Sequence, residues 1–131
     1  MALLFERLIG TLSDREPLVS EAAAWALGEL APGISSADRV GCVGSLAAMA
    51  TKHRDPLCRE AAVAALGAIG DPSSIEHVIT ALEDKPPIRR RATVALAAFE
   101  GPVVDEALKK CLIDRDWQVR QAAEDVLGRM D

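Results

Sequence analysis

Apolar residues recur along the chain at spacings of three and four, and short turns rich in Pro, Gly and Asp cut the runs apart. That pattern predicts helices throughout and no strands. The first run sets Leu4, Phe5, Leu8, Ile9 and Leu12 on one side of a helix over residues 2–13, with Glu6 and Arg7 on the other. Asp14 and Pro17 punctuate it, and Pro17 suits the first turn of a second helix that runs to about Leu30 and stops before Pro32-Gly33. Ser35 or Ser36 can cap a third helix, from about Ala37 to Lys52, longer and richer in Gly than its counterparts. Asp55-Pro56 opens a fourth, which Gly70-Asp71-Pro72 ends. Ser74–Leu82 and Pro87–Phe99 form the next pair, Gly101-Pro102 breaks again, and Val103–Ile113 and Trp117–Met130 form the last. Eight helices in four hairpins result.

The hairpins are copies of one another. The stretch Asp55–Gly70, DPLCREAAVAALGAIG, aligns with segments starting at Glu16, Lys85 and Asp116, so that the starts lie 39, 30 and 31 residues apart. One column reads Val19, Cys58, Ile88, Val119; others read Ala23, Ala62, Ala92, Ala123 and Ala26, Ala65, Ala95, Val126; another is Leu27, Leu66, Leu96, Leu127. A period of this length marks a two-helix repeat array. The fold expected is all-α, an α-α superhelix (a right-handed solenoid) filling residues 1–131 as a single domain, with repeats at about 1–32, 33–70, 71–100 and 101–131.

The repeat resembles HEAT repeats, and most closely the short type first described in phycobilisome bilin lyases. The residues that carry the resemblance are Asp114, Asp116, Val119, Arg120, Ala123, Val126, Leu127 and Gly128 in one copy. In a second they are Asp55, Cys58, Arg59, Ala62, Ala65, Leu66 and Gly67, followed by Gly70-Asp71-Pro72. The resemblance implies an armadillo-like helical scaffold that binds proteins. It also implies a ladder in which an Asp and an Arg at successive turns bond from repeat to repeat, as charge-assisted bonds would. Here the Arg column is Arg59, Arg89 and Arg120, with Ser20 in the first copy. The acid column, six residues earlier, is Asp14, His53, Glu83 and Asp114. The ladder members Asp14, Arg59, Glu83, Arg89, Asp114 and Arg120 are read as structural.

Composition narrows the function. Half the residues are hydrophobic but only 3% are aromatic, which suits closely packed helices. The net charge of −5, with no basic segment, argues against a nucleic-acid binder. The longest apolar run, Gly41–Ala50, is too short to span a bilayer, so no membrane partner is expected. Nothing at the N-terminus reads as a signal peptide, and a cytoplasmic location is the expectation. Cys42, Cys58 and Cys111 share no metal spacing and read as buried small hydrophobes.

On the second helices, the face opposite the apolar stripe carries positions equivalent to 60, 63, 64 and 67: Glu21, Ala24, Trp25, Gly28; Glu60, Val63, Ala64, Gly67; Arg90, Thr93, Val94, Ala97; Gln121, Glu124, Asp125, Gly128. In a curved stack these helices line the concave surface. Trp25 stands where the other copies have Ala, Val and Asp, either packed against the long third helix or as an aromatic anchor. Arg90 and Arg91 form a basic patch, either a solvated face or a site for an acidic peptide. The candidate protein-binding residues are thus Trp25, Glu21, Glu60, Val63, Arg90, Arg91 and Val94.

Catalytic chemistry is not visible. Metal-dependent hydroxylases of this repeat class use paired His-Glu dipeptides, whereas this chain has His53 and His77 alone and no such dipeptide. No phosphate loop and no nucleophile elbow occur. The expectation is a non-catalytic scaffold with a protein or peptide partner, no cofactor and no metal; the alternative is a lyase-like or cofactor-handling accessory subunit. Apolar Leu3, Leu4 and Phe5 near the first edge predict self-association there, to a homo-oligomer, or a longer array.

Overall fold

A computed structural model of the chain describes residues 2–30 and 33–130. Eight helices follow in order: α1 (Ala2–Thr11), α2 (Pro17–Glu29), α3 (Ser36–Lys52), α4 (Pro56–Ile69), α5 (Ile75–Thr80), α6 (Pro86–Ala95), α7 (Pro102–Cys111) and α8 (Trp117–Met130). The described residues contain no strand. Single 3-10 turns extend α5 at both ends and α6 at its C-terminal end. Pro17, Pro56, Pro86 and Pro102 each open a helix, where a missing N–H costs nothing. Ser35 caps α3 by accepting the Asp38 N–H at 3.3 Å, and Asp55 caps α4 by accepting the Leu57 N–H at 2.8 Å. Gly70 closes α4 in the left-handed region, φ 67°, where a Cβ would be strained. Of the Pro32-Gly33 pair expected to stop the second helix, Pro32 lies outside the described residues.

Helices α2, α4, α6 and α8 pack side by side as one layer, and α1, α3, α5 and α7 back them. The shared core is built from the repeated columns: Ala23, Ala62, Ala92 and Ala123 are buried, as are Leu27, Leu66 and Leu96. Small residues set the spacing within the second-helix layer. A Cβ added at Gly28 would lie 3.2 Å from Ala65 Cα, and one at Gly67 would lie 2.8 Å from Ala95 Cβ and 3.0 Å from its Cα. The edge expectation needs one correction. Phe5 is buried in the main core, because it lies on the side of α1 that packs on α2 and α3, while Leu3 and Leu4 are exposed.

Candidate functional site

The turns between first and second helices carry the repeat's polar chemistry. In each hairpin the first turn residue accepts the N–H of the coming helix's N-cap: Asp14 Oδ1 from Glu16 (2.9 Å), His53 Nδ1 from Asp55 (3.0 Å), Asp84 Oδ1 from Lys85 (2.8 Å) and Asp114 Oδ1 from Asp116 (2.8 Å). One turn up the second helix, a donor reaches back to that same residue's carbonyl. Arg59 Nη1 donates to His53 O at 2.7 Å, Arg89 Nη1 to Asp84 O at 2.8 Å and Arg120 Nη1 to Asp114 O at 2.7 Å. In the first hairpin Ser20 Oγ takes the same role on Asp14 O, at 3.0 Å.

Two of these arginines also cross to the next repeat. Arg59 forks onto Asp84, Nε–Oδ2 2.8 Å and Nη2–Oδ1 3.1 Å, and Arg89 forks onto Asp114 with both bonds at 3.0 Å. Burial raises the Asp84 and Asp114 carboxyls, but the arginine forks, the turn N–H groups and nearby cations outweigh it, so both stay below the usual carboxylate range. The ladder acid of the third repeat is therefore Asp84 and not Glu83, which is exposed. The reason is a turn one residue shorter: Asp84 sits five residues before Arg89, where the other copies keep six.

The face of the second-helix layer is narrower than a single-helix pattern suggests. Val63 is 0% exposed, as are Ala24 and Thr93 in the same column, so Val63 cannot meet a partner on this surface. Helices α4 and α6 are each covered by their first helix and by a second helix on either flank, which buries Val63 and Thr93 as well as the apolar stripe. The solvent-facing stripe instead runs through positions equivalent to 57, 60, 64 and 68, which share one side of a helix. It exposes Leu18, Leu57, Val94 and Arg90, with Glu21 and Glu60 partly covered.

On this stripe three repeats are tied together. Trp25 on α2 is 38% exposed and lies under the Arg91 guanidinium of α6, whose Cζ is 5.4 Å from the ring centroid. Arg91 Nη2 also donates to Glu60 Oε2 of α4 at 3.1 Å. Of the sequence candidates the structure thus joins Trp25, Glu60 and Arg91. Val94 lies beside Arg91 above a shallow floor of Ala64, Gly67, Ala68 and Ala98. Arg90 and Val94 line a second depression with Trp117, Gln121, Asp125 and Arg129. Sequence reading missed Trp117, which is 64% exposed, and it missed Leu18 and Leu57. A signal existed for each: Trp117 holds a large ring where the other copies have Pro, and Leu18 lies seven residues, two helical turns, before Trp25.

No buried nucleophile is primed. Cys42, Cys58 and Cys111 are buried, and burial pushes the Cys42 thiol up to about 11 and raises the other two. Among the described residues no cluster of His, Cys, Asp and Glu could hold a metal ion, and no helix is long and apolar enough to cross a membrane.

The sequence matches the family model described as HEAT repeats over residues 43–128 and the HEAT repeat model over residues 4–34. No curated protein matches it. Among solved structures, a chain in the complex of CpcE and CpcF of phycocyanin lyase from Nostoc sp. PCC7120 is similar, with a TM-score of 0.65 at 21% identity over 97% of this chain and 78% of that one. At that identity the likeness is one of fold. With matching columns, a repeated turn and a stacked second-helix layer, the chain belongs to the HEAT-repeat family.

Proposed function

We propose that the chain is a non-catalytic scaffold that binds a partner protein along the exposed stripe of α2, α4, α6 and α8. The observation that carries this reading is the Trp25–Arg91–Glu60 cluster. An aromatic ring is half exposed in a column that otherwise holds Ala64, Val94 and Asp125, so the array does not need it for packing. The Arg91 guanidinium, itself held by Glu60, lies over it, so little side-chain freedom is lost when a partner covers it. Exposed Leu18, Leu57, Val94 and Trp117 supply further apolar contacts along the stripe, with Arg90 and Arg129 as cationic partners for an acidic segment.

The test is retention of host proteins by the immobilised chain. Trp25→Ala and the pair Arg90→Glu/Arg91→Glu should each lose about tenfold or more of the retained partner. The melting temperature of Trp25→Ala should stay near that of the parent. If both variants retain everything the parent retains, the stripe is not the binding face.

A second reading, a lyase-type or cofactor-handling subunit, takes its support from the likeness to the phycocyanin lyase complex. The buried, protonated thiols give it no accessible nucleophile among the cysteines. A visible absorbance band in protein purified from its host would favour it over the scaffold.

A further inference from the structure

The joints inside the array share one polarity: forks at the second and third, notches at the first and second, and both together at the α4–α6 joint alone. The hairpin on the N-terminal side of a joint offers an arginine fork (Arg59, Arg89) and, at two joints, a glycine notch (Gly28, Gly67). The hairpin on the C-terminal side offers the turn aspartate (Asp84, Asp114) and an alanine (Ala65, Ala95) that fills the notch. The residue that starts α2 also meets the next repeat: Cys58 Sγ donates to Pro17 O at 3.2 Å.

Both halves of this joint recur unused at the two ends of the described chain. On α8, Arg120 is oriented by Asp114 O as its counterparts are by His53 and Asp84, but its Nε and Nη2 make no hydrogen bond among the described residues. Gly128, in the notch column, has nothing within 4 Å of where a Cβ would stand. Trp117, in the column of Pro17, is 64% exposed. On the first hairpin, Asp14 holds the ladder position, with Oδ1 on the Glu16 N–H and no cation on Oδ2 among the described residues. Ala26 stands in the column of Ala65 and Ala95. Val19 is 40% exposed, although Cys58, Ile88 and Val119 of the same column are fully buried against a preceding repeat.

We propose that a second copy of the chain docks head to tail on this end, in the register of the internal joints. Arg120 of one copy donates Nε and Nη2 to Asp14 of the next, Gly128 receives Ala26, and Trp117 covers Val19. The occupant is a second copy because its first hairpin presents all three complementary groups, Asp14, Val19 and Ala26, in the columns that meet the preceding repeat at the internal joints. The contact is heterologous, so it extends the array as an open chain or closes it as a ring, and it leaves the stripe of the second-helix layer exposed. Trp117 apart, it uses different residues from the scaffold reading, and its charge and glycine variants test it separately.

Sedimentation velocity of the full chain over a wide concentration series tests the proposal. The parent's mass should rise with concentration. Arg120→Glu and Asp14→Arg should each weaken association by about tenfold or more, and an equimolar mixture of the two should regain it, since each then meets an opposite charge. Gly128→Leu should abolish association without lowering the melting temperature, because its site is open in the single chain. If a charge variant fails to fold by circular dichroism, Gly128→Leu decides. A parent that remains monomeric throughout, an associated parent indifferent to Gly128→Leu, or folded charge variants that do not complement each other would overturn the proposal.

Discussion

The first joint of the array and the two that follow it are held by different chemistry. Between α4 and α6, and between α6 and α8, a guanidinium forks onto a turn carboxylate of the next repeat. Between α2 and α4 both members are replaced: Ser20 stands for the arginine and His53 for the aspartate. Each replacement keeps its local bond, Ser20 Oγ to Asp14 O and His53 Nδ1 from the Asp55 N–H, and gives up only the bond between repeats. In compensation α2 and α4 share the most extensive packing of any helix pair, with Gly28 against Ala65 and the Cys58 thiol on the Pro17 carbonyl. The turn motif thus has two separable jobs, closing its own hairpin and binding its neighbour. The first joint keeps only the former.

Removing a fork should therefore cost more than removing its first-joint counterpart. Arg89→Ala strips a buried guanidinium from Asp114 and from the Asp84 carbonyl, and should lower unfolding free energy by about 2–4 kcal/mol. Ser20→Ala loses one hydroxyl bond and should cost about 1 kcal/mol. Urea unfolding of the two variants ranks them, and equal losses would mean that the fork adds nothing between repeats. Acid sharpens the contrast. The folded-state carboxyl of Asp114 is depressed, so its stabilisation is present above the unfolded value of about 3.9 and is lost as pH falls through the lower folded value. The gap between parent and Arg89→Ala should narrow over that acid window.

Packing between second helices can be broken next. At Gly67 an added methyl meets Ala95 Cβ at 2.8 Å and Ala95 Cα at 3.0 Å, with no flexible atom to move aside. Gly67→Ala should therefore cost about 1–3 kcal/mol despite the better helix propensity of Ala. Gly28→Ala meets Ala65 Cα at 3.2 Å and should cost less, which thermal unfolding of the two variants would measure.

Most of this architecture was legible in the sequence, because four copies of one apolar pattern report the same helix and the same core. What escaped reading was what a single helix does not encode. Val63 looked outward because one helix has one buried stripe, yet a helix flanked on both sides in a layer buries three. The six-residue offset of the other turns points to Glu83 as the ladder acid, and one deleted residue moves the role to Asp84. The column alone marks Trp25 as exceptional. Its partner Arg91 and the Glu60 that holds Arg91 lie on two other helices, and only the stacking of three repeats brings the three together.

The smallest effect tests whether the first joint lacks a fork by chemistry alone or also by geometry. His53→Asp alone should be nearly neutral, since an aspartate at this turn position accepts the same N–H in the other three hairpins. Ser20→Arg alone should destabilise, because a guanidinium would enter a fully buried site with a carbonyl to bond but no carboxylate across the joint. Together they recreate the pair found at the next two joints, and a double-mutant cycle should give a favourable coupling of about 0.5–1 kcal/mol. A coupling near zero would carry its own meaning. The first interval is 39 residues against 30 and 31 in the others, and the long α3 lies within it. The turns would then be too far out of register for any fork, and Ser20 and His53 would follow from that displacement.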